Sequence, residues 1–247
     1  MENLIKRVND HRTIREFTDQ KVSEENLNII FDSIMRTATS TGMQMASIIH
    51  VTDPEKKLEI SKVCNQEYVA RAPELLIFIV DNYRNNRIIK DTGQIVDRES
   101  DVDTFFQGYS DAILMAQNAM NIIESMGMGA VYLGSILNNP EKIIEILNLP
   151  PLTFPVLGIG FGYPNQEPQL KPRLDKKYRI FENEYKIFND YSEELKDYDQ
   201  EMTSYYDLRE GNKRSDSFFN QVVSKAKNPI PNRLMLIEFA RKNGFKL

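Results

Sequence analysis

The segment HRTIR at 11–15 concentrates positive charge and hydrogen-bond donors near the start of the chain. His11, Arg12 and Arg15 supply three potential cations, and Thr13 adds a hydroxyl group. Guanidinium groups suit phosphate oxygens because they donate hydrogen bonds in pairs at a fixed geometry. The segment therefore indicates an anion site, although a solvated basic helix end would have the same composition.

Lys171-Pro172-Arg173 is a second basic segment. Proline biases its neighbours towards extended backbone, and residues two apart in an extended chain point the same way. Lys171 and Arg173 would then form a two-pronged clamp for an anion. A basic surface loop is the alternative, and nothing in the spacing says that this pair meets the residues of HRTIR.

The segment TATSTGMQ at 37–44 collects short polar side chains around a glycine. The hydroxyl groups of Thr39, Ser40 and Thr41 could hydrogen-bond a phosphate or a polyhydroxyl chain, with Gly42 allowing a turn. A plain connection between a helix and a strand explains the same residues.

Two further positions offer contacts to a flat heterocycle. Gln66 carries both a donor and an acceptor, which could bind the imide edge of such a ring, and Tyr68 could pack beside it. Gly134, in GAVYLGS at 129–135, would let a backbone N–H approach a planar ligand closely. A polar helix end and a packing glycine are the simpler interpretations.

The sequence lacks the motifs of several other functional classes. Its glycines do not spell the dinucleotide-binding pattern GxGxxG, and neither a P-loop nor a GxSxG nucleophile elbow occurs. No His/Cys metal site is expected, because the chain has one cysteine, Cys64, and two histidines. We interpret Cys64 as a small side chain near a helix end.

Composition places further bounds on function. A length of 247 residues with 41% hydrophobic content suits one large domain or a domain with an extension. The net charge of -5 lacks the basic excess of a nucleic-acid binder. The opening residues are too charged for a signal peptide, and apolar runs such as LLIFIV at 75–80 are too short to span a bilayer. We therefore expect a cytoplasmic protein with neither nucleic-acid nor membrane partners.

Helices alternate with short strands along the chain, which predicts an α+β or α/β class. The expected helices follow the N-caps Ser23 and Asp53 and occupy 102–126 and 140–149, and the expected strands occupy 47–51, 75–81, 129–135 and 156–164. The polar, aperiodic stretch 82–100 predicts a loop or a mobile lid. The charged tail from 185 predicts helices with one apolar stripe.

Taken together, these segments resemble the nitroreductase family. The opening HRTIREFTDQKVSEENL is similar to the family signature HRSIRxF followed by a capped helix. The order HRTIR, TSTGMQMASII, NQEYVARAPELLIF, MAQNAMNIIESMGMGAVYLGSILNN, LGIGFGYP and LKPRL is similar to the branch of oxygen-insensitive NADPH nitroreductases and NADPH–flavin oxidoreductases. The resemblance covers nearly the whole chain, and the number of segments found in the right order makes it specific.

The resemblance implies an α+β fold of the nitroreductase kind, with a central, mostly antiparallel sheet surrounded by helices in an intertwined homodimer. Residues 1–184 would form the FMN-binding core, and residues 185–247 a helical extension that packs on the core or on the partner subunit. FMN would lie at the dimer interface. The loop residues Thr39, Ser40 and Thr41 would hold its ribityl chain and phosphate from the other subunit.

The resemblance also implies roles for the residues of one subunit. His11, Arg12, Lys171 and Arg173 would surround the FMN phosphate, with Thr13 beside them.

At the ring, Arg15 would face the pyrimidine edge near N1 and O2. Gln66, with Tyr68 next to it, would bind the N3 and O4 side, and the Gly134 N–H would reach N5. The same stretch of strand would be lined by Tyr132, Leu133 and Ser135.

The implied reaction is a ping-pong hydride transfer from NADPH or NADH through FMN to nitroaromatics, quinones or free flavin. Arg209, Lys213 and Arg214 lie in the tail segment that can engage the extra phosphate of NADPH, which favours NADPH. A solvated charged loop is the alternative interpretation of that segment. The competing functions are a flavin-binding carrier or redox sensor with little turnover, and an anion-binding interaction module.

The chain departs from the family pattern at several places. Thr39 and Gly42 occupy a loop that usually carries serines and often an aromatic residue, and Ser135 stands where a second glycine is common. SDSFFNQ at 215–221 replaces a stretch where tryptophan is common, and the chain has no tryptophan. These differences leave open the acceptor and the choice between NADPH and NADH.

Overall fold

The computed structural model describes residues 4–96, 100–207 and 213–247. The chain forms two compact units, one made of residues 1–167 together with 230–247 and the other of residues 168–229. The last residues belong to the first unit because Phe239, Ala240 and Phe245 are part of its hydrophobic core. This grouping differs from the predicted boundary between 184 and 185, and the domain assignment itself stays a prediction.

The first unit is built on a four-stranded antiparallel sheet. Its strands are β1 (Ala46–His50), β2 (Glu74–Asp81), β3 (Gly129–Leu133) and β4 (Thr153–Gly162), in the spatial order β1-β2-β4-β3. The central strand β2 is buried from 75 to 80, as expected for an uninterrupted apolar run that is covered on both faces. The predicted α+β class with an antiparallel sheet is confirmed.

Helices surround this sheet. In chain order the helices are α1 (Leu4–Asn9), α2 (Glu24–Met35), α3 (Pro54–Cys64), α4 (Tyr68–Arg71), α5 (Tyr83–Asp91), α6 (Val102–Ser125), α7 (Pro140–Leu147), α8 (Tyr191–Glu194), α9 (Lys196–Ser204), α10 (Phe218–Lys227) and α11 (Leu236–Lys242). Ser23 and Asp53 cap α2 and α3 as predicted, and Gly127 follows α6 with a φ of 79°. In the described ranges, no helix combines the length and apolar composition that a membrane crossing requires.

The helix α6 spans the sheet and links its two edges. It packs on the central strands β2 and β4, and it also contacts the edge strands β1 and β3. The small side chains of Ala112, Ala116 and Ala119 are fully buried at this contact, which lets the helix backbone approach the strands closely. Residues held at different points along α6 are therefore placed at different positions over the sheet.

Two predictions about local structure were wrong in part. The stretch 82–100 contains the helix α5, because Ile88 and Ile89 give this otherwise polar segment an apolar side that lines a cavity with Met43 and Met45. The strand predicted over 129–135 ends at Leu133, where the backbone turns into a 3-10 helix over Gly134–Asn138.

The second unit is mainly helical, as the tail prediction stated. It contains α8, α9 and α10, and the short strands β5 (Tyr206–Asp207) and β6 (Lys213–Arg214) pair with each other. The apolar stripe predicted for the tail consists of Tyr191, Leu195, Tyr198, Met202 and Tyr205. Of these, Leu195 and Met202 are buried.

Candidate active site

HRTIR lies along β3, an edge strand of the sheet. Thr13 pairs with Ala130 in an isolated parallel bridge, and the Ile14 N–H donates to the Ala130 carbonyl at 3.0 Å. Ile14 is buried, whereas Thr13 and Arg15 are partly exposed. The close approach depends on Gly129, because a Cβ built there would lie 2.4 Å from Ile14 Cγ1. The apolar residue holds the segment against the sheet and leaves its polar residues accessible.

His11 and Arg12 differ in their partners. His11 Nδ1 forms a 2.5 Å hydrogen bond with Oε1 of Glu124, which lies in α6 and is only 9% exposed. A carboxylate on one ring nitrogen leaves Nε2 for a ligand. Arg12 Nη1 donates to the Asp10 carbonyl at 2.9 Å, but Arg12 Nε is buried and has no hydrogen-bond partner among the described residues. Buried donors are normally satisfied, so Arg12 Nε points to an acceptor that this part of the chain does not supply.

Gln166 anchors Arg15, although no sequence pattern indicated it. Gln166 Oε1 accepts hydrogen bonds from the Arg15 N–H at 2.6 Å and from the Glu16 N–H at 2.7 Å. The Asn165 N–H donates to the Glu16 carbonyl at 2.9 Å. The chain that follows β4 therefore runs beside Arg15 and Glu16. These bonds join residues that are about 150 positions apart, so local spacing could not reveal them.

Tyr68, Gln66 and Ser135 extend the same site. The guanidinium carbon of Arg15 lies 6.0 Å from the centre of the Tyr68 ring, at the limit of a cation–π contact. Gln66 lies between α3 and α4, just after Asn65, whose left-handed φ of 51° turns the chain at the end of α3. Ser135 Oγ donates to Gln66 Oε1 at 2.8 Å. The structure therefore brings these predicted residues to the same end of β3.

Cys64, the last residue of α3, is buried, and Ser135 is a polar neighbour of its thiol. Burial raises the pKa of the Cys64 thiol to about 11, and the neighbouring Ser135 side chain offsets only part of that rise. The thiol is therefore protonated at neutral pH, which makes it a poor nucleophile. The prediction of a small side chain near a helix end is confirmed.

Gly134 forms an open surface at the end of β3, which we call the Gly134 ledge. A Cβ built on this residue would meet no neighbouring atom within 4 Å, so a flat group could lie against the backbone there. Arg233 Nη1 donates to the Gly134 carbonyl at 2.7 Å and places an exposed cation beside the ledge. Sequence reasoning missed Arg233, which is 99 positions away from Gly134 along the chain.

Tyr132 and Leu133 do not direct their side chains towards the ledge. The Tyr132 hydroxyl donates to the Ala116 carbonyl at 3.2 Å and to Gln117 Oε1 at 3.1 Å, both in α6. Burial, and secondly the charge of Glu124, raise the pKa of Tyr132 well above its ordinary range. Leu133 is fully buried in the core. Only backbone groups of this pair can face a ligand on the ledge.

The loop with Thr39, Ser40 and Thr41 is held by a different part of α6. Asp111, which is 1% exposed, accepts hydrogen bonds from the Ser40 N–H at 2.7 Å and the Met45 N–H at 3.1 Å. Thr41 Oγ1 donates to Gln107 Oε1 at 3.0 Å. A cavity of about 500 Å³ adjoins the loop, and its polar lining includes Thr39, Arg36, Arg84 and Asp111.

One chain does not bring this loop to the HRTIR segment. The loop is tied to Asp111 and His11 is tied to Glu124, thirteen residues further along α6. With a rise of 1.5 Å per residue, the two anchor points are about 20 Å apart along the helix axis. The loop also precedes β1, whereas HRTIR lies on β3 at the opposite edge of the sheet.

The remaining predicted residues belong to the second unit. Lys171 and Arg173 are exposed, and Arg173 Nη1 donates to the carbonyls of Lys171 and Pro172. Arg209 lies outside the described residues. Lys213 and Arg214 form β6, of which only the backbone is described. The assignment of all five side chains to phosphate groups stays a prediction.

Sequence comparison identifies the family of this chain. The sequence model named "Nitroreductase family" matches residues 8–163, and the model named "Nitroreductase family, C-terminal domain" matches residues 171–247. The chain belongs to the nitroreductase family. It is 34% identical over 99% of its length to an FMN reductase (NADPH) of Bacillus subtilis, of which it covers 99%. It is 33% identical to an NADPH-flavin oxidoreductase of Vibrio harveyi over 91% of both chains.

Solved structures of this family share the fold. A nitroreductase from B. subtilis superimposes with a TM-score of 0.90 at 33% identity, with 98% of this chain and 99% of that chain covered. An NADPH:FMN oxidoreductase from V. harveyi, solved in complex with NAD+, gives a TM-score of 0.87 at 31% identity over 99% of both chains. The predicted nitroreductase fold and the enzyme class, an oxidoreductase, are confirmed.

Proposed function

We propose that this nitroreductase-family chain is an FMN-dependent enzyme that takes hydride from NADPH and passes electrons to free flavin, nitroaromatic compounds or quinones. The names of its relatives support the flavin and the nicotinamide: one is an FMN reductase (NADPH), another an oxygen-insensitive NADPH nitroreductase. The observation that carries the proposal is the Gly134 ledge. It is open to a flat ring and has Gln66 and Ser135 beside it and Arg233 on its carbonyl.

The donors near the start of HRTIR fit the phosphate of FMN. Arg12 Nε is a buried donor without an acceptor in the described ranges, and His11 is held by Glu124 so that Nε2 is left for a ligand. Phosphate oxygens would supply the missing acceptor, and a charged acceptor makes such hydrogen bonds strong. Thr13 adds a hydroxyl to the same group.

The residues at the ledge fit the ring. When bound, FMN supplies the capacity to accept hydride and to release electrons. Arg15, fixed through its backbone by Gln166, would place a positive charge at the ring edge that becomes anionic on reduction. Gln66 would bind the imide side, and the Gly134 N–H would approach N5. Binding and orientation are therefore the tasks of this chain, and no covalent nucleophile is required.

The open Gly134 ledge favours the ping-pong order of substrates. The sequence has no GxGxxG motif that would hold a nicotinamide cofactor in a domain of its own. NADPH and the acceptor would therefore use the same exposed side in turn. Arg233 lies at that side, where a cation suits anionic substrates.

The complete site would need two copies of the chain. The loop with Thr39, Ser40 and Thr41 and the HRTIR segment are anchored about 20 Å apart along α6. In a homodimer the loop of one subunit would meet the HRTIR segment of the other. Such a dimer would carry two FMN sites, each built from both subunits.

Mixed dimers test this arrangement. Chains with Arg15→Ala and chains with Ser40→Pro, which removes the N–H bound by Asp111, would each bind FMN weakly as homodimers, so that little FMN is retained after gel filtration. Mixing them should regenerate one intact site in a mixed dimer, with about half an FMN per chain. If mixing the two variants restored no FMN binding, each site would be built from a single chain.

Preference for NADPH over NADH is assigned to Arg209, Lys213 and Arg214. Replacing these three residues with serine should raise the KM for NADPH and leave the KM for NADH unchanged, because only NADPH carries the additional phosphate. Equal changes for both nicotinamides would contradict the assignment. A cytoplasmic location is part of the same proposal.

The first test of the proposal is an absorbance spectrum of the purified protein, anaerobically, before and after NADPH, NADH and then a quinone. Flavin bands that bleach with NADPH and return with the quinone would support the proposed enzyme. Bands that bleach and recover only over many minutes would favour the carrier or sensor. A colourless protein that takes up no FMN would overturn the proposal in favour of an anion-binding module.

A further inference from the structure

The hydroxyl of Ser135 is committed to a defined direction. Ser135 Oγ donates to Gln66 Oε1 at 2.8 Å in a partly buried contact. A serine hydroxyl has one proton and two lone pairs, so this bond uses the only proton that it can donate. While this bond is made, Ser135 has no second proton to donate to another acceptor.

Cys64 is a polar neighbour of Ser135. Its thiol is buried, and burial raises its pKa to about 11, so it carries its proton at neutral pH. A protonated thiol is a weak acceptor, so the carbonyl oxygen of Gln66 is the stronger acceptor for the Ser135 proton.

The bond from Ser135 determines which end of the Gln66 amide is available. With Oε1 engaged by Ser135, the Nε2 group and its two protons are turned away from Ser135. In the part of the chain that the structure describes, Gln66 Nε2 has no hydrogen-bond partner. A glycine at 135, which the family pattern commonly has, offers no hydroxyl, and the amide could then present either its N–H or its carbonyl.

We propose that Ser135 is a positioning residue that fixes the Gln66 amide with its N–H, and not its carbonyl, towards the cofactor. This inference rests on the proposed function, because it takes Gln66 to contact bound FMN. An amide N–H pairs with a carbonyl oxygen of the ring, and an amide carbonyl would pair with a ring N–H. Reduction increases the negative charge on the ring, so a fixed donor stabilises the reduced form more than the oxidised form.

The reduction potential of the bound flavin tests the proposal. In Ser135→Ala we expect reduced FMN to lose about tenfold in affinity relative to oxidised FMN, which corresponds to a fall of about 30 mV for a two-electron couple. Ser135→Gly restores the residue common in the family and should give the same fall. Either variant suffices if the other does not fold. The infrared band of the ring carbonyl should also move to higher frequency in both variants.

A double-mutant cycle separates positioning from general damage. In a Gln66→Leu background, Ser135→Ala should no longer change the potential, because Ser135 acts through Gln66. Ser61→Ala is the matched control, since Ser61 is a buried serine of α3 whose hydroxyl donates only to the Leu58 carbonyl. It should leave the potential unchanged.

The outcomes distinguish this inference from the proposed function. Failure of the wild-type chain to bind FMN would reject both. FMN binding with an unchanged potential in Ser135→Ala, or with the same change in the Gln66→Leu background, would overturn the positioning role alone. An equal change in Ser61→Ala would also overturn it.

Discussion

Ile14 and Gly129 are in direct contact: a Cβ built on Gly129 would lie 2.4 Å from Ile14 Cγ1 and 2.7 Å from Ile14 Cβ. Ile14 is β-branched and buried, so its side chain cannot rotate away easily. A side chain at 129 would therefore push the HRTIR backbone away from β3. The contact couples a residue without a functional group to the position of His11, Arg12 and Arg15.

Gly129→Ala should consequently affect both stability and ligand binding. We expect the free energy of unfolding to fall by about 1–3 kcal/mol, as for overpacked cores, and the affinity for FMN to fall with it. Denaturant unfolding and fluorescence titration measure the two effects. Adding Ile14→Ala should restore part of the FMN affinity, because it removes the obstructing atoms. Wild-type affinity in Gly129→Ala alone would disprove the coupling.

Gly134→Ala is the contrasting substitution, since its Cβ would meet no neighbouring atom within 4 Å. We expect an unfolding midpoint like that of the apo wild type, together with FMN binding that is about tenfold weaker or worse, because the methyl group would occupy the Gly134 ledge. Unfolding should be followed without FMN, so that lost ligand does not lower the midpoint. Unchanged FMN affinity would mean that the ring does not lie on the ledge.

Arg15→Ala should weaken FMN binding by about 10–100-fold, the range expected when a charged hydrogen-bond donor is lost from a site. The rate of flavin reduction by NADPH should fall as well. Arg71→Ala is a suitable control, because Arg71 is another half-exposed arginine nearby, paired with Glu16. If both variants retain flavin content and NADPH rates like those of the wild type, Arg15 does not have the role assigned to it.

Stability should decrease at alkaline pH through Cys64. The pKa of its thiol rises from 9.0 to about 11 on folding. This contribution to stability is complete below pH 9 and is lost as the pH rises towards 11, at roughly 2–3 kcal/mol across the window. Denaturant unfolding at several pH values should show a shallower decline for Cys64→Ala over this interval. Parallel curves for the two proteins would contradict this prediction.

Local signals in the sequence predicted much of the fold. The caps at Ser23 and Asp53, the glycine after α6 and the apolar run of β2 act over a few residues, so each could be interpreted without tertiary information. The stretch 82–100 was misjudged, because Ile88 and Ile89 amount to a short apolar side that a search for long periodicity overlooks. The strand propensity of the residues alone also did not predict that β3 ends at Leu133.

The candidate site was only partly accessible to the same reasoning. HRTIR, Gln66 and Gly134 were singled out, and the structure places HRTIR along β3 and Gln66 at the end of that strand, next to Ser135. Gln166 and Arg233 were missed, since each acts on a residue about 100 or more positions away and neither lies in a recognisable pattern. Glu124, the partner of His11, was not predicted, because it lies in a helix whose composition is typical of a hydrophobic core. Such pairings arise only when the chain has folded.

The helix α6 fixes the distance between two anchor points. Asp111 holds the 39–41 loop and Glu124 holds His11, and both lie on one rigid, continuous helix. Each inserted residue would rotate one anchor by about 100° relative to the other and move it by about 1.5 Å. In evolution, exposed residues on α6 can be exchanged one at a time. An insertion or deletion between 111 and 124 would instead displace the 39–41 loop relative to His11, and both belong to the proposed FMN sites. We therefore expect the spacing of these two acids to persist in lineages where the surrounding sequence has diverged.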